Sequence, residues 1–183
     1  MDILKVYENI ALSDREVLKL IDGKANLILY PDLIEYDNID EILEPYGACI
    51  ILFEAKPKYG HWCCLFKQNE KLLEFFNPYG GYPDDSLEYI PMHFRLISNQ
   101  YYPYLSFLMY YSPYELSYNE YKFQKHGKDI KTCGRHAAMR LVFRHLSLDD
   151  YKQLLDFLCK ILKMNYDEIV TLLTGYINKN IHN

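Results

Sequence analysis

No run in this chain approaches the ~20 consecutive apolar residues that cross a bilayer, so no membrane-spanning helix is expected. No CxxC pair occurs, and the five cysteines (Cys49, Cys63, Cys64, Cys133 and Cys159) are odd in number. Zinc ligands cluster at short regular spacing. Cys63-Cys64 is instead a vicinal pair, whose side chains point to opposite faces of a strand. No metal, no cofactor and no disulfide framework are therefore expected, and the thiols read as reduced, in a cytosol-like compartment. The opening MDILKVYENIALSDRE brings acids early and no long apolar core, so it does not read as a secretory signal. Excess positive charge is missing too: 20 Lys and Arg against 25 Asp and Glu leave a net charge of −5. That argues against a protein whose main task is holding a phosphate backbone. The local run Lys122, Lys125, Lys128 and Lys131 reads as a solvated loop. Internal repeats, linkers and low-complexity segments are absent.

What is present is an ordinary globular balance, with half of the 183 residues hydrophobic and a quarter charged. One domain spanning 1–183 fits this length. Tyrosine is over-represented at 19 copies, a composition that AT-rich coding favours.

The pattern along the chain predicts an α+β fold. Ser13-Asp14-Arg15-Glu16 is a capping box, so a helix is expected from there to about Ile21, stopped by Gly23. Leu27 to Tyr30 is a candidate strand, and Ile39 to Leu43 a helical turn. Ala48–Glu54, His61–Lys67 and Lys71–Phe76 have strand length and composition. They are near-continuously apolar, which predicts antiparallel neighbours covered on both faces. Tyr102–Tyr111 reads as a helix, Leu116–Gln124 as a strand and Gly127–Lys131 as a polar connector. Cys133–Leu146, Asp149–Lys163 and Tyr166–Lys179 read as helices, the last capped by Asn165. The expected architecture is a central mixed or antiparallel sheet packed against a helix that begins at Cys133, with flanking helices.

Four residues make a candidate chemical set. Cys133 opens a helix, where free N–H groups and the helix dipole favour a thiolate. Gly134, lacking a Cβ, is expected to let a substrate backbone come close. His61 starts a strand after a glycine-containing loop, with Trp62 beside it. Asn77 directly follows the next strand. In an antiparallel hairpin the start of His61–Lys67 lies beside the end of Lys71–Phe76, so Asn77 is expected beside His61. Gln124, at the end of its strand, offers an amide that can donate to an oxyanion. A thiol peptidase needs a nucleophile, a base, a group that orients the base, and oxyanion donors. Taken singly, each residue has a plainer reading: a small buried thiol, a surface histidine, a turn initiator and an ordinary polar residue.

The order His, Asn, Gln, Cys resembles that of the adenovirus-type and ubiquitin-like-protein-specific cysteine peptidases. The matching strings are Gly60-His61-Trp62, Phe75-Phe76-Asn77-Pro78-Tyr79-Gly80, Tyr118-Asn119 through Gln124, and Thr132-Cys133-Gly134-Arg135-His136. The combination is most similar to the maturation peptidases of virophages and Polinton-type elements, over a core of about 45–146. The resemblance implies an adenain-like fold and a cysteine endopeptidase that processes capsid or scaffold proteins during virion maturation. It implies cleavage after small residues, often Gly, with Trp62 and Gly134 along the substrate groove. The implied setting is the virion and the cytoplasm or viral factory of the infected host. Relatives use a peptide or DNA activator. A peptide activator is compatible with this chain, whereas its acidic charge argues against DNA. Two departures stand out: Asn77 replaces the acid of many relatives, and the 125–132 connector is longer and more basic. Action on ubiquitin-like modifiers, or a silent binding module on the same scaffold, are the rival readings.

Overall fold

The computed structural model describes residues 3–179, with side chains as far as Gly175; His182 lies outside the described residues. Five strands form one mixed sheet: β1 (Asn26–Leu29), β2 (Ala48–Lys56), β3 (Tyr59–Lys67), β4 (Leu72–Phe76) and β5 (Glu115–Tyr118), in that spatial order. The three central strands are antiparallel, and each edge strand runs parallel to its neighbour. The expected hairpins are present. Asn69 shapes the β3–β4 turn by accepting from the Lys71 and Leu72 amides through Oδ1, at 2.9 and 3.1 Å.

Both faces of the sheet are covered, as the apolar runs predict. Ile50, Leu52, Trp62, Cys64 and Phe76 face α2 (Asp14–Leu20), α6 (Cys133–Val142), α7 (Leu148–Leu162) and α8 (Tyr166–Lys179). Cys49, Ile51, Phe53, Cys63, Leu65 and Phe75 face the other layer. That layer consists of α3 (Ile39–Leu43), α5 (Tyr104–Tyr110) and two 3₁₀ segments, Tyr30–Glu35 and Asp85–Tyr89. Strand periodicity of two sends alternate residues into two separate cores. The capping box at Ser13 and Glu16 forms in full, and Asn165 with Glu168 makes a second one at the start of α8.

Helix α6 is tied to the sheet through charge as well as apolar packing. Arg140 binds Glu74 of β4 bidentately, Nε to Oε1 at 2.6 Å and Nη2 to Oε2 at 2.8 Å. It also donates to the carbonyls of Phe143 and Leu146, and its guanidinium lies 5.0 Å from the Phe66 and Tyr151 ring centres. Both charged groups are buried, so the full set of hydrogen bonds is what makes the pair tolerable.

The structure adds elements and shortens others. α1 (Ile3–Glu8), α4 (Met92–Ile97) and the two 3₁₀ segments were not expected. The strand expected over Leu116–Gln124 ends at Tyr118. The cause is Asn119: its Oδ1 accepts from the Asn77 amide at 2.9 Å and its Nδ2 donates to the Asn77 carbonyl at 2.7 Å. The side chain satisfies the groups that a longer β5 would have paired, so the backbone is free to turn away. Helix α6 likewise stops at Val142 rather than Leu146.

Candidate active site

The site is assembled at the rim of the sheet, where β3 begins, β4 ends and α6 begins. Cys64 pairs with Phe76 across β3 and β4, so Asn77 falls one step beyond the ladder on the face that His61 shares with Cys63. His61 Nε2 lies 2.8 Å from Asn77 Oδ1. The Asn77 amide has one orientation available. Its Nδ2 donates to the Gly80 carbonyl at 2.9 Å and to Ser86 Oγ at 3.2 Å. Its Oδ1 also accepts from the Tyr79 amide at 3.0 Å. An acceptor therefore faces the imidazole, which fixes the proton on Nε2 and leaves the Nδ1 lone pair free.

The loop that holds Asn77 is closed by contacts with the 119–124 segment. The amides of Phe123 and Gln124 both donate to the Pro78 carbonyl at 2.9 Å. Gly80 has φ of +76°, and a Cβ there would lie 2.7 Å from the Glu120 carbonyl oxygen, so glycine is required. Gln124 is thereby placed in a loop rather than at a strand end, but it still reaches the site. Its Nε2 donates to the Ile130 carbonyl at 3.3 Å, which orients the amide and leaves the second N–H to give.

His61, Gln124 and Cys133 line one cavity of about 310 Å³, together with Tyr59, Tyr79, Tyr89, Ile90, Lys128 and Lys131 among others. Cys133 sits at the first position of α6. Thr132, the residue before it, is of a type that normally caps a helix through its side chain. Its hydroxyl instead donates to Asp167 Oδ1 at 2.5 Å and makes no cap bond. Thr132 thus leaves the start of α6 without a side-chain cap.

The electrostatics differ from the expected thiolate. Burial pushes the Cys133 thiol up, and the amides of Trp62, Gly134 and Cys133 itself only partly offset this. Burial also drives the His61 imidazole down to about 4, with the Asn77 hydrogen bond opposing and His126 and His136 adding to the fall. With a raised thiol and a depressed imidazole, the resting pair is neutral at pH 7.

Trp62 and Gly134, expected along the substrate groove, sit in the core instead. Trp62 is buried against α2 and α6, and its Nε1 donates to the Leu12 carbonyl at 3.3 Å. A Cβ on Gly134 would meet Trp62 Cδ1 and Val17 Cγ2 at 3.1 Å. The glycine serves close packing of α6 against Trp62 and α2, not approach of a substrate. Among the described residues no cluster of His, Cys, Asp and Glu suits a metal ion, and no helix is long and apolar enough to cross a membrane.

Three supporting residues were not foreseen. Tyr79 stacks on His61 with ring centres 4.4 Å apart, and His126 stacks on the other face of Tyr79 at 4.1 Å. Asn119 holds Asn77 as described above. Asp167, in the first turn of α8, accepts from Thr132 and from His136 Nε2 (3.0 Å) through Oδ1, and from the Lys125 amide (3.1 Å) through Oδ2. One carboxylate thus joins the neighbour of Cys133 to the neighbour of Gln124. In sequence Asp167 is an acid in a helix's first turn, where dipole and capping explain it fully, so nothing local marks it.

No family model matches the chain. It is 55% identical over 174 residues to a Sputnik virophage protein named "Uncharacterized protein V9", an alignment covering 95% of this chain and 99% of that protein. The chain belongs to the family of this virophage protein. The V9 alignment is too long to leave out any of the layers described above, so the relationship covers the sheet, the cavity and the helices around it.

Proposed function

We propose that the protein is a cysteine peptidase in which Cys133 is the nucleophile, His61 the base, Asn77 the group that orients the base, and Gln124 an oxyanion donor. The observation that carries this reading is the fixed tautomer of His61. An amide locked by Gly80 and Ser86 holds Nε2–H, so the basic Nδ1 is left for the cavity that Cys133 shares. The order of these residues supports an adenain-like member of the adenovirus-type peptidases, with virophage capsid or scaffold precursors as substrates.

The reaction starts from the neutral pair. The Cys133 proton passes to His61 Nδ1 as sulfur attacks the peptide carbonyl, forming the C–S bond. The oxyanion takes hydrogen bonds from the free N–H of Gln124 Nε2 and the Cys133 amide, and each such donor is worth about 10²–10³ in turnover. Collapse breaks the C–N bond while the imidazolium gives its proton to the leaving amine. Water, deprotonated at Nδ1, then attacks the thioester. The C–S bond breaks, the acid product leaves and the proton returns to sulfur.

The test is cleavage of virion structural proteins of the source virus, with new termini read by mass spectrometry. Cys133→Ala is expected to abolish every cut, and undiminished cleavage by that variant would overturn the proposal.

A further inference from the structure

We propose that the cavity selects a peptide carrying an acidic side chain within a residue or two of the scissile bond, and that Lys128 and Lys131 are the selecting groups. The inference rests on the peptidase reading above. In a chain with more acids than bases, the residues lining this cavity include two lysines and no aspartate or glutamate. Neither lysine is neutralised from within: the lysine ion pairs among the described residues are those of Lys67 and Lys152. The lining also includes Phe53, Ala55 and Ile90, whose apolar side chains offer a charged group nothing. A bound segment is therefore oriented by charge, with its acid over the 125–131 connector and its small or apolar groups toward β2 and β3.

The connector is also held in place, which makes it a specificity element rather than a loose basic loop. The Lys131 amide donates to the Glu8 carbonyl at 2.8 Å, the Ile130 amide to the Gly127 carbonyl at 3.3 Å, and the Ile130 carbonyl accepts from Gln124. Lys131 lies two residues from Cys133 along the chain, so its charge sits beside the bond to be cut. Lys122 and Lys125 do not line the cavity and carry no such role.

The test uses Cys133→Ala protein and two dye-labelled octapeptides with a central Gly-Gly, one flanked by Glu and one by Lys. Affinity is read by anisotropy in 50 mM and 500 mM salt. The acidic peptide is expected to bind about tenfold more tightly, from two exposed charge pairs, with the gap closing in high salt. K128E/K131E in the same background is expected to invert the order, with circular dichroism showing an unchanged fold. Equal or undetectable binding of both peptides, or an acid preference that survives the charge swap, would overturn the inference. Acid preference without cleavage of the acidic peptide by the intact protein would instead remove the peptidase reading and leave the docking preference standing.

Discussion

Asn119 exchanges two hydrogen bonds with the backbone of Asn77 across the end of β4, accepting from its amide through Oδ1 at 2.9 Å and donating to its carbonyl through Nδ2 at 2.7 Å. The residue proposed to orient His61 is thus itself held by an asparagine 42 positions away. This buried pair stops β5 and sets the loop that brings Gln124 to the cavity. Both the end of β5 and the alignment of the site depend on it.

Asn77→Ala removes the acceptor that keeps the proton on His61 Nε2. Turnover is expected to fall about 10²-fold or more, since a wrong tautomer disables the base. Asn77→Asp keeps an acceptor and raises the imidazole pKa, but it places an oxygen against the Gly80 carbonyl. It is expected to retain more activity than alanine. Alanine matching the parent while aspartate is inactive would refute the orienting role. Peptide hydrolysis rates for the three proteins decide it.

Asp167→Asn weakens the tie among Thr132, His136 and Lys125 without changing size. The Thr132 hydroxyl is then free to cap α6 and occupy the amides beside Cys133. kcat is expected to drop about tenfold to 10²-fold with KM little changed. Thr132→Val has no hydroxyl with which to cap α6, so it should stay close to the parent, and the double variant should recover much of the Asp167→Asn loss, because the two act through one contact. Additive losses would show that Asp167 acts by another route.

The pH dependence follows from the neutral pair. A His61 pKa lowered to about 4 means that the unfolded chain takes up a proton near pH 6.5 while the folded protein does not. Folding stability is therefore lost as pH falls from about 6.5 to about 4. The melting temperature should fall through that window, and fall less in His61→Gln. A raised Cys133 thiol predicts iodoacetamide labelling that climbs steadily from pH 6 to pH 9. A flat profile would indicate a thiolate–imidazolium pair at rest.

Glu74→Gln tests the buried clamp. Arg140 would keep its carbonyl partners and lose its counter-charge, at a cost of about 3–5 kcal/mol. Urea unfolding of the variant measures this directly, and a loss under ~1 kcal/mol would show that the pair is dispensable.

Much of this architecture is legible in the residues. Apolar runs at Ala48–Glu54 and His61–Lys67 announce a sheet covered on both sides, because strands with one wet face alternate. The hairpin between His61–Lys67 and Lys71–Phe76 places Asn77 beside His61 from register alone. Other features are not local. β5 ends where it does because a side chain replaces the ladder, and no propensity at Tyr118 or Glu120 records that. The short helix at Met92–Ile97 has no buried residue and no side-chain cap, so it carries neither the amphipathic stripe nor the terminal signal on which a reading depends. The protonation of the pair is not local either: a helix start argues for thiolate, whereas burial, which only the packed structure reveals, acts more strongly in the other direction.

Arg135, two residues past Cys133, donates to the Tyr7 carbonyl and to Thr174 Oγ1, so α1 and α8 meet on the helix that carries the thiol. A ribosome making this protein releases the sheet and the thiol well before Thr174 emerges. The nascent chain thus cannot complete the anchorage of α6 until a segment 39 positions beyond Arg135 has emerged.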